Sequence, residues 1–290
     1  MTILLGLAAA LVYGAADFFG AVSSRRLRPV LVTAVAACAG ITFSVFGAFT
    51  FGNLTQGADF TPTAVFWGVV GGGFSALGMT CLYAALAEGP ISIVSPLSAL
   101  VAALVPTITG VAMGESFNLL GCTAIALVLI AVGLVGFVPS VELRLPSVRA
   151  VLLSVGAGVG IGVVMICLKQ PAAETGMAAA ILIRGINAFV MVCVAAVLFA
   201  MGSAKPAEFR GLGPKIWILL ILTGCSDALA NIFFRASAVN GTLAIASVLT
   251  ALYPAGTILL ARLVLKEKVA TVQMVGIVLA LLASVLLALA

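Results

Sequence analysis

Apolar residues run along this chain in long blocks separated by short polar interruptions. A bilayer's hydrocarbon core takes about 20 apolar residues per helix. Against that length the pattern predicts ten membrane-spanning helices, near residues 2–22, 29–51, 63–86, 91–112, 118–138, 149–168, 176–201, 215–236, 242–263 and 271–289. The first block, beginning MTILLGLAAA, has no basic stretch ahead of it and runs on through Asp17, so it is expected to be a retained span and not a cleaved signal peptide. The longest polar stretches, Phe51–Pro62, Pro139–Arg149 and Gly202–Lys215, are too short to bury a core of their own. The expected fold class is an all-α membrane protein of about ten transmembrane helices.

Composition agrees with that reading. The chain is 63% hydrophobic and 8% charged, with a mean hydropathy of +1.33. A soluble domain carries about a quarter of its residues charged, so the lipid bilayer must be the solvent for most of this surface. A net charge of +5 and a pI of 9.1 do not point to nucleic acid, because the Lys and Arg residues punctuate apolar spans and form no basic patch interleaved with aromatics. They do sort by loop. Arg25, Arg26, Arg28, Arg144, Arg149, Lys205, Arg210, Lys215, Arg262, Lys266 and Lys268 follow odd-numbered spans, whereas Lys169 and Arg235 fall on the other side. By the positive-inside rule the odd loops face the cytoplasm and both termini face outward, in a multi-pass protein of the cell's inner (plasma) membrane. The six cysteines lie in apolar spans, with no C-x-x-C and no histidine anywhere, so neither a metal site nor a disulfide is expected, and no cofactor.

The chain also repeats itself. Gly89–Glu115 and Gly241–Glu267 align without a gap and share Gly89/Gly241, Ile93/Ile245, Ser95/Ser247, Leu97/Leu249, Ala99/Ala251, Leu100/Leu252, Ala103/Ala255 and Glu115/Glu267. Span 6 parallels span 1 (LLSVGAGVGIG at Leu152, LLGLAAALVYG at Leu4), and spans 3 and 8 match through Trp67/Trp217 and Ala76-Leu77/Ala228-Leu229. Ten spans therefore divide into two five-helix repeats, residues 1–140 and 147–290, joined by a linker at 141–146. Five is odd, so the second copy is inverted in the membrane, the plan of many secondary transporters.

The five-span repeat, the SPLSAL and SVLTAL segments, the spans ending in Gly114-Glu115 and Lys266-Glu267, and an arginine early in span 7 (ILIRGINAF, Arg184) resemble the EamA-type members of the drug/metabolite transporter superfamily, in particular its amino-acid and metabolite exporters. The resemblance covers nearly the whole chain. It implies a monomeric ten-helix basket around a central cavity, alternating access, and small-molecule cargo, often amino acids moved outward. Span 2 departs from the pattern by lacking the arginine that span 7 has, which makes the halves chemically unequal.

A charge inside a bilayer costs about 2.5–3.5 kcal/mol on the insertion scale. Asp17, Arg184 and Asp227 are therefore expected to face a cavity, or else to pair and fix helix packing. Asp227, Asn231 and Arg235 are spaced four apart on one helix face, Asn187 follows Arg184 by three, and Tyr13 precedes Asp17 by four. A zwitterionic amino acid could place its ammonium against Asp227 or Asp17 and its carboxylate in the fork of Arg184. Arg235 lies at the outer end, where it can snorkel. Ser95 with Pro96 and Pro106 in span 4, and Ser247 with Tyr253 and Pro254 in span 9, predict two broken helices in equivalent positions, a pointer to a midplane site. Tyr83 and Tyr253 could cap the cavity or anchor at the interface. Gly71–Gly73 and the alternating Gly156, Gly158, Gly160 and Gly162 read as helix-packing positions. Glu115 and Glu267 are expected to pair with loop groups or cap the next helix, and Lys169 and Glu174 to be surface charges.

No ATP-binding motif is present, so transport would draw on a gradient, with Asp17 and Asp227 as candidate proton carriers. A transporter or flippase of lipid-linked or nucleotide sugars or of drugs could be built on the same fold. A membrane-embedded enzyme is disfavoured, since no histidine and no partnered serine supply a catalytic set. The orientation has a direct check: a reporter active only in the cytoplasm, fused to either terminus, is expected to stay silent.

Overall fold

The computed structural model describes residues 1–50, 58–88, 91–136, 147–170, 175–266 and 270–289. Among these, the regular structure is eleven α-helices and one short 3-10 turn, Pro206–Phe209. The helices are α1 (Thr2–Ser24), α2 (Pro29–Thr50), α3 (Pro62–Glu88), α4 (Ile91–Ala112), α5 (Leu119–Gly136), α6 (Val148–Lys169), α7 (Ala178–Ala200), α8 (Pro214–Val239), α9 (Leu243–Thr250), α10 (Tyr253–Leu265) and α11 (Thr271–Leu289). The described residues hold no strand, only an isolated bridge between Ala58 and Gly176. Seven segments are long and apolar enough to cross a membrane, with α9 and α10 together counting as one, Leu243–Val264. Shorter apolar stretches in α4, α5 and α11 bring the spans to ten. The chain is a multi-pass membrane protein, and the linker at 141–146 lies outside the described residues.

Helix starts are set locally. Pro29, Pro62 and Pro214 open α2, α3 and α8, positions where a missing N–H costs nothing. The Asn118, Ser147 and Thr242 side chains accept the backbone N–H of Gly121, Ala150 and Ile245, capping α5, α6 and α9.

Corresponding spans keep corresponding neighbours. α1 packs on α8 and on α10, while α6 packs on α3 and α4; α2 lies against α8 as α7 lies against α3. α5 meets α11, α2 meets α7 and α4 meets α9. Lipid tails are as apolar as leucine, so close backbone approach takes over from the hydrophobic effect. At the α3–α6 crossing a Cβ on Gly160 would come 2.6 Å from Gly78 Cα, and at α2–α8 a Cβ on Gly224 would overlap the Ala36 carbonyl. Two surface grooves run along α11, about 260 and 390 Å³, lined by apolar side chains such as Leu281 and Val278.

Two broken helices were expected and only one occurs. Span 9 breaks at Ala251-Leu252, just ahead of Pro254, which cannot donate to the carbonyl of Thr250. α4 runs unbroken through Pro96 and Pro106. Thr107 and Thr109 donate to the carbonyls of Ala103 and Val105, 2.7 and 2.9 Å, around the gap that Pro106 leaves in the ladder. Replacing Gly160 by Val should cost about 1–3 kcal/mol by overpacking, read as a lowered thermal midpoint in detergent. Gly73→Ala, whose Cβ would meet nothing within 4 Å, should leave that midpoint unchanged.

Candidate functional site

Four spans bring six of the ten expected side chains together. α1 supplies Tyr13 and Asp17, α7 supplies Arg184, α8 supplies Asp227 and Asn231, and α10 begins at Tyr253. Arg184 Nη1 lies 2.7 Å from Asp227 Oδ2. Asn231 Nδ2 donates to the backbone carbonyl of Asp227 at 2.7 Å, one turn away. Tyr13 shares a hydrogen bond with the Asn231 side chain and lies in electrostatic range of Asp227, Arg184 and Asp17. Asp17 in turn lies in electrostatic range of Asp227 and Tyr253.

Glycine makes the room. A Cβ on Gly40 of α2 would come 2.9 Å from Arg184 Nη1, so the guanidinium lies against bare backbone. The span that lacks an arginine thus provides a notch for the one in span 7. Gly14 plays a similar part in α1, where a Cβ would come 2.6 Å from the Tyr253 carbonyl, and Thr257 Oγ1 donates to the Gly14 carbonyl at 3.2 Å. α10 can therefore start directly beside Tyr13 and Asp17.

The cluster sits in a recess. Asp17 is solvent-accessible although protein atoms surround it closely, and the Asp227 side chain is 43% exposed against 11% for Arg184. Along α8 exposure ends just beyond Asp227. Asn231, Ile232, Phe234, Arg235, Ala236, Ser237 and Ala238 are all buried, as are Gly14, Ala10 and Ala9 on α1. The recess is therefore closed toward the end of the molecule away from Arg25, Arg26, Arg28, Arg210 and Lys215. Arg235, expected to snorkel, is instead 2% exposed, because α8 continues for another turn and the closed end is packed around it.

Residues 148–289 match the model of the EamA-like transporter family. That match covers α6 to α11, and with it Arg184, Asn187, Asp227, Asn231, Ser247 and Tyr253. No curated relative matches the chain. A solved structure described only as "Crystal structure of protein" superposes over 99% of this chain and 96% of its own with a TM-score of 0.77. At 16% identity that likeness shows the fold alone.

The remaining expected residues are not seen in contact with the ion pair among the described residues. Asn187 sits one turn along α7 from Arg184, with its Oδ1 buried and without a hydrogen-bond partner. Ser247 is fully buried in α9, as is Thr250, and neither hydroxyl has a partner. The side chains of Tyr83 and Ser95 lie outside the described residues.

One residue does more than its position in the sequence suggested. Glu115, in the turn after α4, reaches across to the EamA-like half. Its Oε1 accepts the N–H of Leu243 at 2.6 Å and its Oε2 that of Ala244 at 3.0 Å, so a carboxylate sits on the positive end of α9. Lys169, at the end of α6, donates to the same Oε1 at 2.7 Å, so it is no free surface charge. Gly114, at φ +96°, turns the chain sharply enough to aim the side chain there. Glu115 thus ties the α4–α5 turn, α6 and α9 together at the closed end. Glu267 and Glu174 lie outside the described residues.

Burial pushes the Glu115 carboxyl upward, but the hydrogen bonds from Lys169, Ala244 and Leu243 and the charge on Lys169 outweigh it and hold the group below its ordinary value. A depressed carboxylate stabilises the folded state above its unfolded pKa and loses that contribution as pH falls through the lower folded value. Wild-type stability is therefore expected to fall as the pH drops from the ordinary carboxylate range through the lower folded value of this group. Glu115→Gln should flatten that part of the profile. At neutral pH the same variant should raise hydrogen exchange at the Leu243 and Ala244 amides, measured by mass spectrometry.

Proposed function

We propose that the protein is a secondary transporter that moves amino acids or related small metabolites by alternating access through this recess, in the exporting direction. The observation that carries the reading is the Arg184–Asp227 pair in an accessible recess within the membrane span. Each partner satisfies the other in the absence of cargo. A zwitterion brings the complementary pair of charges, so its carboxylate can take the Arg184 fork while its ammonium takes Asp227, with no charge left unpaired at any stage. Asn231 and Tyr13 flank the pair, and Asn187 offers an unused carbonyl oxygen for a further polar group on the cargo.

Support for alternating access comes from the uneven ends. One end is sealed by α9 and the Glu115 contacts, and the other leaves Asp17 and Asp227 accessible. In this reading the halves 1–140 and 147–290 are inverted repeats, a relation favoured by the gap-free sequence repeat and by neighbours that stay matched when the halves are exchanged. In this reading the protein acts as a monomer in the plasma membrane with the accessible end toward the cytoplasm, an orientation that the loop charges favour.

The test is a toxicity-rescue screen over amino acids and analogues, followed by uptake into proteoliposomes of whichever compound is tolerated. Arg184→Ala and Asp227→Ala should each lower transport about ten- to a hundred-fold, the loss of a charge-assisted contact. Transport persisting in both variants, with the protein present in the membrane at normal levels, would overturn the reading.

A further inference from the structure

The recess holds two carboxylates and one guanidinium, and only one of the carboxylates is matched. Asp227 is paired with Arg184 at 2.7 Å. Among the described residues Asp17 makes neither a hydrogen bond nor an ion pair. The helices around α1 do not supply a counter-charge. From α8 the group facing Asp17 is Asp227, another carboxylate; from α10 it is Tyr253, and from its own helix Tyr13. α2, α9 and α11 carry no charged side chain at all, the other cations of the packed helices are Lys215 and Arg262 toward the inner ends and Arg235 in the sealed end, and none of these three is among the groups acting on Asp17.

A lone carboxylate inside a membrane span, facing a second carboxylate, is a standing demand for positive charge. The tyrosine rings beside it are suited to receive a cation, through their faces and their hydroxyl oxygens. A neutral zwitterion exchanged into the Arg184–Asp227 pair leaves this demand unmet, because it replaces a balanced pair by two balanced pairs. We propose that Asp17 takes up one positive charge in each transport cycle, brought either by a second ammonium group on the cargo, as in a diamino acid, or by a proton travelling with a neutral zwitterion. This rests on the transporter reading above and assigns it a charge stoichiometry. Asp17 thereby acquires a separate role from Asp227: the ion pair recognises the amino-acid head, and Asp17 sets the net charge of what crosses.

Proteoliposomes containing the full chain test this, with lysine and a neutral amino acid as the probes, an enclosed pH dye, and an imposed membrane potential. The expected result is electrogenic transport by the wild type. Lysine moving without a proton identifies the cargo's ammonium as the charge, and a neutral amino acid moving with one proton identifies the proton. Asp17→Asn should lower lysine transport about ten-fold and render neutral amino-acid transport insensitive to potential and pH. Because Asp17 holds no partner, this variant should keep the wild-type elution profile and thermal midpoint. Electroneutral, proton-free transport of a neutral amino acid by the wild type would overturn the proposal while leaving the transporter reading intact, as would an Asp17→Asn variant with unchanged charge movement. If the wild type moves neither probe, nor any compound found in the rescue screen, the transporter reading falls first.

Discussion

Hydrocarbon cannot solvate a charge or a peptide group, and everything polar in this molecule is arranged around that fact. Within the spans, Arg184 is held by Asp227 in a 2.7 Å contact and shielded from lipid by α2 and α8. Serine and threonine hydroxyls along the helices turn back to carbonyls four residues earlier, as Thr107, Thr223 and Ser284 do. The apolar exterior, by contrast, has no need to be dry or well packed, and large side chains such as Phe49 and Leu282 project from it. The usual inside-out logic of soluble proteins is thus reversed: the polar groups select the interior and the surface is left to leucine, valine and phenylalanine.

Within that constraint, the two halves divide the labour unequally. The second contributes Arg184, Asp227, Asn231 and Tyr253 to the recess, while the first contributes α1, with Tyr13 and Asp17, and the bare backbone at Gly40. Absence is a contribution here. A side chain at position 40 would occupy the place of the guanidinium. At the closed end the dependence runs the other way, since Glu115 of the first half supplies the anion that the second half's α9 requires. Neither half completes its own polar groups, which gives the pair a reason to stay together that does not depend on hydrophobic burial.

Much of this was readable from the residues. Span positions followed closely, since a twenty-residue apolar block has few alternatives, and α4 and α11 begin where hydropathy places them. Tyr13, Asp17, Arg184, Asp227 and Asn231 could be singled out because a polar side chain in such a block must face something other than lipid. What the residues did not disclose depends on partners far away in the chain. Glu115 looks like any acid after a helix, and the backbone N–H groups that donate to it lie 128 and 129 residues on. Gly40 is one of 31 glycines, and nothing in its own neighbourhood marks it as the seat of an arginine. Proline alone makes spans 4 and 9 look equivalent, but only span 9 breaks, whereas in span 4 Thr107 and Thr109 donate to the carbonyls around Pro106. Arg235 was misplaced for a simpler reason: α8 continues to Val239, which takes that position inside the packed end.

Span 9 is two rods with a joint. α9 is fastened at its N-terminal tip by Glu115 and continues into α10 only through Ala251 and Leu252, while α10 is stitched to α1 by Thr257 and Gly14. A continuous helix in this place could tilt only as a whole, dragging Tyr253 away from Asp17 each time the outer end moved. In the transport cycle proposed above, the joint would let the eight residues of α9 part from α4 and α1 like a hatch while the floor of the recess keeps its shape. Ser247 and Thr250, whose hydroxyls have no partner among the described residues, are the groups on α9 that such an opening would hand to water first.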